Sequence, residues 1–359
     1  FTNTPRRGKA TMSPQPTYTV AVAGMGKRGT HHADAVSKNP RFKLVGVCDI
    51  EPARLEAAKK QFGVDYGSLD GIQMLKDTKP DVFIFCTLPD LRLPLIQAGV
   101  ESGARLIAFE KPVATSTNEA IEMFKLMRNA GVKSVISHQH RYGEHYAKVK
   151  EIIASGAIGR VHTVYGHALG WMMHMLTHMI EYASWYNDYA EPEWVVGQAD
   201  GIEKFSDNHP SPDYISALVQ FSNGVRGVFE TGAGAPDVPE VSSWWRKCRV
   251  GAQGTLGFAE VLTGGGGEGG GWRAVTKDGV MSGPGSMDYE HDMGPYVQEI
   301  VDWLDDDSKV HPCNGETAYK GFEVMMGACR SVVQRGKICL PLGPSDEPEL
   351  VALRKALAK

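Results

Sequence analysis

Over residues 18–140, short apolar runs alternate with stretches whose apolar positions recur at helical spacing. The runs at 18–23, 42–47, 81–86, 105–109 and 133–137 predict five buried strands. Between them, 29–37, 52–62, 93–102 and 118–129 predict helices, with a shorter helix around 68–78. Pro52 suits a first helical turn, and Gly103 and Gly131 suit helix ends. This alternation implies right-handed βαβ units and a parallel, doubly wound sheet. Beyond Ala157 the alternation lapses. Strand-like stretches follow at 161–165, 215–221, 225–231, 247–250 and 254–261, and helices at 293–304 and 316–335. A glycine-rich stretch at 264–271 reads as a mobile loop. The expected organisation is an arm at 1–17, a dinucleotide-binding domain at 18–140, a second domain at 141–345 and a closing segment at 346–359.

Doubly wound sheets bind ligands beyond the carboxyl ends of their strands. After the first strand comes Gly24-Met25-Gly26-Lys27-Arg28-Gly29, a G-x-G-x-x-G turn opening a helix. Gly24 serves the tight turn, Gly26 lets a pyrophosphate approach the backbone, and Gly29 lets helix and strand pack closely. The helix start offers N–H groups to phosphate. Asp49 ends the second strand, close to the ~20-residue spacing at which such folds place a ribose-binding acid. That acid favours NAD, with NADP as the alternative, because Lys27, Arg28 and Arg54 lie nearby in sequence. The later strand ends carry Thr87, then Glu110-Lys111-Pro112, then His138-Gln139-His140-Arg141-Tyr142.

The net charge of −4 and a pI near 6.3 offer no basic field to nucleic acid. No apolar run is long enough to span a bilayer. Arg6-Arg7 lacks the apolar segment of an export signal. Six scattered cysteines, none in a C-x-x-C pair, suit a cytoplasmic protein.

The Glu110-Lys111-Pro112 triplet, the stretch 146–161 with Gly156-Ala157-Ile158-Gly159-Arg160-Val161, and the later 299–304, Asn314-Gly315-Glu316 and Leu340-Pro341-Leu342 together resemble the Gfo/Idh/MocA oxidoreductases. The resemblance implies a Rossmann domain followed by an α/β domain with an open, largely antiparallel sheet. It implies a homo-oligomer, and an NAD-linked enzyme moving a hydride between nicotinamide and a secondary alcohol or ketone of a sugar, sugar acid or glycoside. It further implies that Lys111 contacts the reacting region, with Glu110 positioning Lys111 or the cofactor. An NAD-dependent glycosidase of the same superfamily and a silent NAD- or sugar-sensing regulator are the alternatives.

His174, His178 and Glu181 share i, i+4, i+7 spacing and so one face of a predicted helix. His178 matches the family's acid/base histidine, whereas His174 stands where the family usually has aspartate. Zinc binding by His174, His178 and Glu181 is the rival reading, although no H-E-x-x-H motif is present and no metal is expected. His138, His140, Arg141, Tyr142, Glu181 and Trp245 are the expected substrate contacts. Arg92 stands where many relatives have histidine, and the sequence supplies no reason for it.

Overall fold

The computed structural model describes residues 17–263, 270–285, 287 and 289–358, leaving aside the side chains of Trp245 and Tyr289. The arm at 1–16 and most of the glycine-rich stretch, 264–269, lie outside the described residues.

The first unit comprises β1 (Tyr18–Ala23), α1 (Lys27–Lys38), β2 (Phe42–Cys48), α2 (Pro52–Phe62), β3 (Gly67–Ser68), α3 (Gly71–Thr78), β4 (Val82–Phe85), α4 (Arg92–Glu101), β5 (Leu106–Phe109), α5 (Thr117–Asn129) and β6 (Lys133–Ile136). Its strands form a parallel six-stranded sheet ordered β3-β2-β1-β4-β5-β6. Order reverses between β1 and β4, so a crevice opens at their carboxyl ends. The central strands are apolar on both faces because helices cover both sides. Val20, Ala21, Val22, Phe83, Phe85, Ile107 and Phe109 are all buried. Asp70 caps α3 by accepting from the Ile72 and Gln73 amides, and Ser116 caps α5 by accepting from Glu119. By contrast, α1 starts at Gly26 with no side-chain cap and no acid in its first turn.

The second unit comprises α6 (Glu144–Ala154), β7 (Val161–Ala168), α7 (Thr177–Tyr186), β8 (Pro192–Asp200), β9 (Tyr214–Phe221), β10 (Arg226–Gly232), β11 (Cys248–Gly254), β12 (Gly257–Thr263), β13 (Gly271–Thr276), β14 (Gly279–Pro284), α8 (Tyr289–Asp305), α9 (Gly315–Gln334), β15 (Ile338–Cys339) and α10 (Glu349–Leu357). Its nine-stranded sheet is ordered β14-β13-β12-β11-β7-β10-β9-β8-β15. Every pairing is antiparallel except β7 with β10. Helices α6, α7 and α9 pack on the sheet. β8, β13 and β14 were not expected from the sequence. β8 alternates buried and open positions too irregularly to stand out, and β14 is largely exposed. α8 packs on α1 rather than staying with its sequence neighbours, so Met293, Tyr296, Val297 and Ile300 share a core with Val20, Val22 and Val36. The closing segment is likewise tied down. Arg330 donates to Glu349 of α10 through Nε at 3.0 Å and Nη2 at 2.7 Å. None of the six cysteines is bridged.

Candidate active site

The glycine turn has the geometry its spacing predicts. Gly24 has φ +83°, a left-handed conformation, and a Cβ there would lie 2.6 Å from the Cys86 carbonyl oxygen. A Cβ on Gly29 would lie 1.9 Å from the Gly24 oxygen. Around Gly26, in contrast, a Cβ would meet nothing within 4 Å. An open, uncapped helix start beside an obligatory glycine turn fits a pyrophosphate. Met25 is buried in the core and offers only backbone, while Lys27 is exposed at the helix start. Asp49 is buried at the end of β2, with Oδ1 accepting from the Glu51 amide at 2.8 Å.

A cavity of about 350 Å³ opens beyond the strand ends, between the two sheets. Arg28, Thr87, Glu110, Lys111, His140, His174 and His178 line it, together with His209, Tyr146 and Tyr182. Glu110 accepts from Arg28 Nε at 3.1 Å and from His32 Nε2 at 3.3 Å. Burial alone would raise its carboxyl. The Arg28 cation and the His32 hydrogen bond outweigh that and hold it well below the usual range. Lys111 Nζ donates to the His174 carbonyl at 3.0 Å, tying the end of β5 to the segment before α7. Burial pushes the Lys111 ammonium down to about 8, although Glu110 works in the opposite direction.

The segment before α7 is the main departure from the sequence reading. Met172–Leu176 is a wide π-turn rather than a turn of α-helix. Its start is held by Ser211, whose hydroxyl accepts from the Met173 amide at 3.1 Å. His174 and His178 both line the cavity, whereas Glu181 does not. His174 pairs with His209, ring centroids 5.4 Å apart. Glu181 points out of the cavity and accepts from the Tyr189 hydroxyl at 2.9 Å. Among the described residues, those three do not converge into a metal-binding group; His32, Cys86 and Glu110 are the residues close enough to do so.

His178 is buried, with Nδ1 3.1 Å from the Tyr182 hydroxyl. Burial, then Lys111 and the neighbouring imidazoles, hold it well below the ordinary histidine range. His174 is pushed to about 3, chiefly by the Lys111 cation and then by burial. His138 stands edge-on behind His178 at 5.2 Å between centroids; neither of its ring nitrogens has a partner, and burial pushes it to about 3. His140 does reach the cavity, and its Nδ1 lies 2.8 Å from Asp292 Oδ2 of α8.

Arg141 and Tyr142, expected as substrate contacts, do not line the cavity. Arg141 donates to Tyr189 at 2.5 Å and lies 4.6 Å over the Trp185 ring, and Tyr142 donates to Glu299. Both hydrogen bonds lock the junction between the units. The Trp245 side chain lies outside the described residues. Arg92 is buried, 5.7 Å from the Phe109 ring, with Nε and Nη1 unpartnered; burial lowers it to about 10. The sequence reading missed His209 and Asp292. His209 sits in an irregular loop and Asp292 in the first turn of a helix, so neither position carries a spacing signal.

A parallel sheet with a phosphate-fitting glycine turn, facing a cavity rich in proton-bearing groups, marks the first unit as a dinucleotide-binding domain. Residues 18–138 match the model of the Gfo/Idh/MocA oxidoreductase family, NAD-binding Rossmann fold. It is 30% identical over 148 residues to the inositol 2-dehydrogenase of Rhizobium meliloti, covering 41% of this chain and 44% of that protein. It is 26% identical over 162 residues to the D-glucoside 3-dehydrogenase of Escherichia coli, covering 45% and 46% respectively. The chain thus spans less than half the length of these curated relatives. An NAD binding oxidoreductase from Klebsiella pneumoniae shares the fold with a TM-score of 0.76 at 18% identity, over 91% of this chain and 100% of that one. Among the described residues, no helix is long and apolar enough to cross a membrane.

Proposed function

We propose that this chain is an NAD-linked oxidoreductase that interconverts a secondary alcohol and its ketone in a sugar, sugar acid or related polyol. The observation that carries this reading is the meeting of Lys111 and His178 on one cavity wall, beside a glycine turn fit for a dinucleotide. NAD, when bound, supplies the hydride acceptor or donor. Gly24 to Gly29 and the start of α1 hold its phosphates, and Asp49 accepts from its ribose hydroxyls. Lys111, its ammonium fixed by the His174 carbonyl, donates to the developing oxyanion. His178 Nε2 exchanges the hydroxyl proton, because Nδ1 faces Tyr182. Glu110 holds Arg28 and supports Lys111. The names of the two dehydrogenase relatives, one for inositol and one for a glucoside, support a polyhydroxylated substrate.

The test is a panel of cyclitols, sugars, sugar acids and glycosides assayed with NAD and NADP. Net NADH with at least one polyol is expected. Aglycone release without net NADH would replace this reading with the glycosidase one, and a tenfold preference for NADP would overturn the role given to Asp49.

A further inference from the structure

The family's expected aspartate is missing at position 174, yet a buried carboxylate from elsewhere stands behind His140 of the cavity wall. Asp292 comes from the first turn of α8, far along the chain, and is 2% exposed. Its Oδ2 lies 2.8 Å from Nδ1 of His140, itself 6% exposed and on the cavity wall. The His140 and His178 rings are 6.0 Å apart between centroids and tilted by 41°. That separation lets one hydroxyl or water oxygen touch both. We propose that Asp292 and His140 form a carboxylate–imidazole couple that receives the substrate's hydroxyl proton from His178, replacing the aspartate absent at position 174.

This rests on the oxidoreductase reading above. In alcohol oxidation the C–H bond breaks with its electron pair passing to the nicotinamide. The O–H bond breaks, its proton passes to His178 Nε2 and then to His140 Nε2, and the carbonyl forms. Direction comes from the surroundings. His178 faces Lys111, His138 and His174 and has no carboxylate partner in contact, so its protonated form is disfavoured. Asp292 hydrogen-bonds Nδ1 of His140 and so fixes the orientation of that ring. Among the described residues, the titratable groups facing the couple include His145 of α6, which burial pushes down to about 4, Tyr182, whose hydroxyl feels the Asp292 charge, and His291, whose Nδ1 lies 3.6 Å from Asp292 Oδ1. His140 is therefore a catalytic residue and Asp292 a positioning residue.

The test compares wild type, His140→Gln, Asp292→Asn and Asp292→Ala with the best polyol of the panel. His140→Gln should lose kcat by ~10²-fold and Asp292→Asn by ~10–100-fold, with KM and NADH affinity within about twofold. Added formate should restore part of the Asp292→Ala rate, which a merely structural carboxylate would not allow. In the NAD-free protein, 15N-histidine NMR should show a downfield Nδ1–H resonance that moves upfield in Asp292→Asn. An active wild type with unaffected kcat in His140→Gln, or no formate rescue, overturns the couple and leaves the oxidoreductase reading standing. A wild type inert on every polyol overturns both.

Discussion

In the proposed reading, Lys111 is the side chain that meets the developing oxyanion. An ordinary lysine keeps its charge to about pH 10.4, but burial brings this one down to about 8. The charge is therefore present below about 8 and lost as pH rises through it. If the ammonium donates to the oxyanion, ketone reduction should fall through the same range, and the residual rate of Lys111→Met should be flat there. Initial rates between about pH 7 and about pH 9.5 check this. A fall with the same midpoint in Lys111→Met would assign the limb to another group. Lysine at a strand end in a Glu-Lys-Pro triplet was legible from sequence. Its anchoring on the His174 carbonyl was not, because that contact depends on a π-turn 63 positions away.

At the level of elements, the glycine turn and the segment before α7 show where sequence patterning succeeds and stops. The steric demands at Gly24 and Gly29 are local, so the motif carried them. Gly29 and Gly26 separate experimentally. Gly29→Ala places a Cβ against the Gly24 carbonyl and should destabilise the fold, whereas Gly26→Ala meets nothing in the free chain. Gly26→Ala should keep the wild-type melting temperature and lose NAD affinity by about tenfold or more, a loss of roughly 1.4 kcal/mol. Calorimetric titration with parallel thermal melts makes the comparison; equal NAD affinity in Gly26→Ala would remove the pyrophosphate from this turn. Helical periodicity, in contrast, misplaced Glu181. Glu181 lies three residues beyond His178 on the regular helix α7, and its carboxylate turns aside to accept from the Tyr189 hydroxyl. Strand β14 escaped because an exposed sheet edge carries little hydrophobic contrast.

For the whole molecule, the return of α8 onto α1 explains how the site closes. The sequence boundary near 140 rests on the change of strand pattern, which carries no sign that residues 289–305 pack on α1 and bring Asp292 to His140. The interior formed this way is rich in neutral histidine. Burial pushes His138 to about 3 and His145 and His311 to about 4. The unfolded chain protonates these groups near pH 6.5, so their stabilising effect is complete above that value. It is lost as pH falls toward the folded-state values, at about 1.4 kcal/mol per pH unit for each group. Urea midpoints should accordingly drop steeply between about pH 6.5 and about pH 4.5. A midpoint constant over that range would mean that these rings take up protons within the fold.

The central claim is that Lys111 and His178 act on the substrate rather than hold the nucleotide. The most direct measurement is kcat alongside NAD affinity for Lys111→Met and His178→Ala, in dialysed enzyme with and without chelator. The account predicts a loss of ~10²–10⁴-fold in kcat for each, unchanged NAD binding and no response to chelator. Near-wild-type turnover in His178→Ala, or activity removed by chelator and restored by zinc, would contradict it.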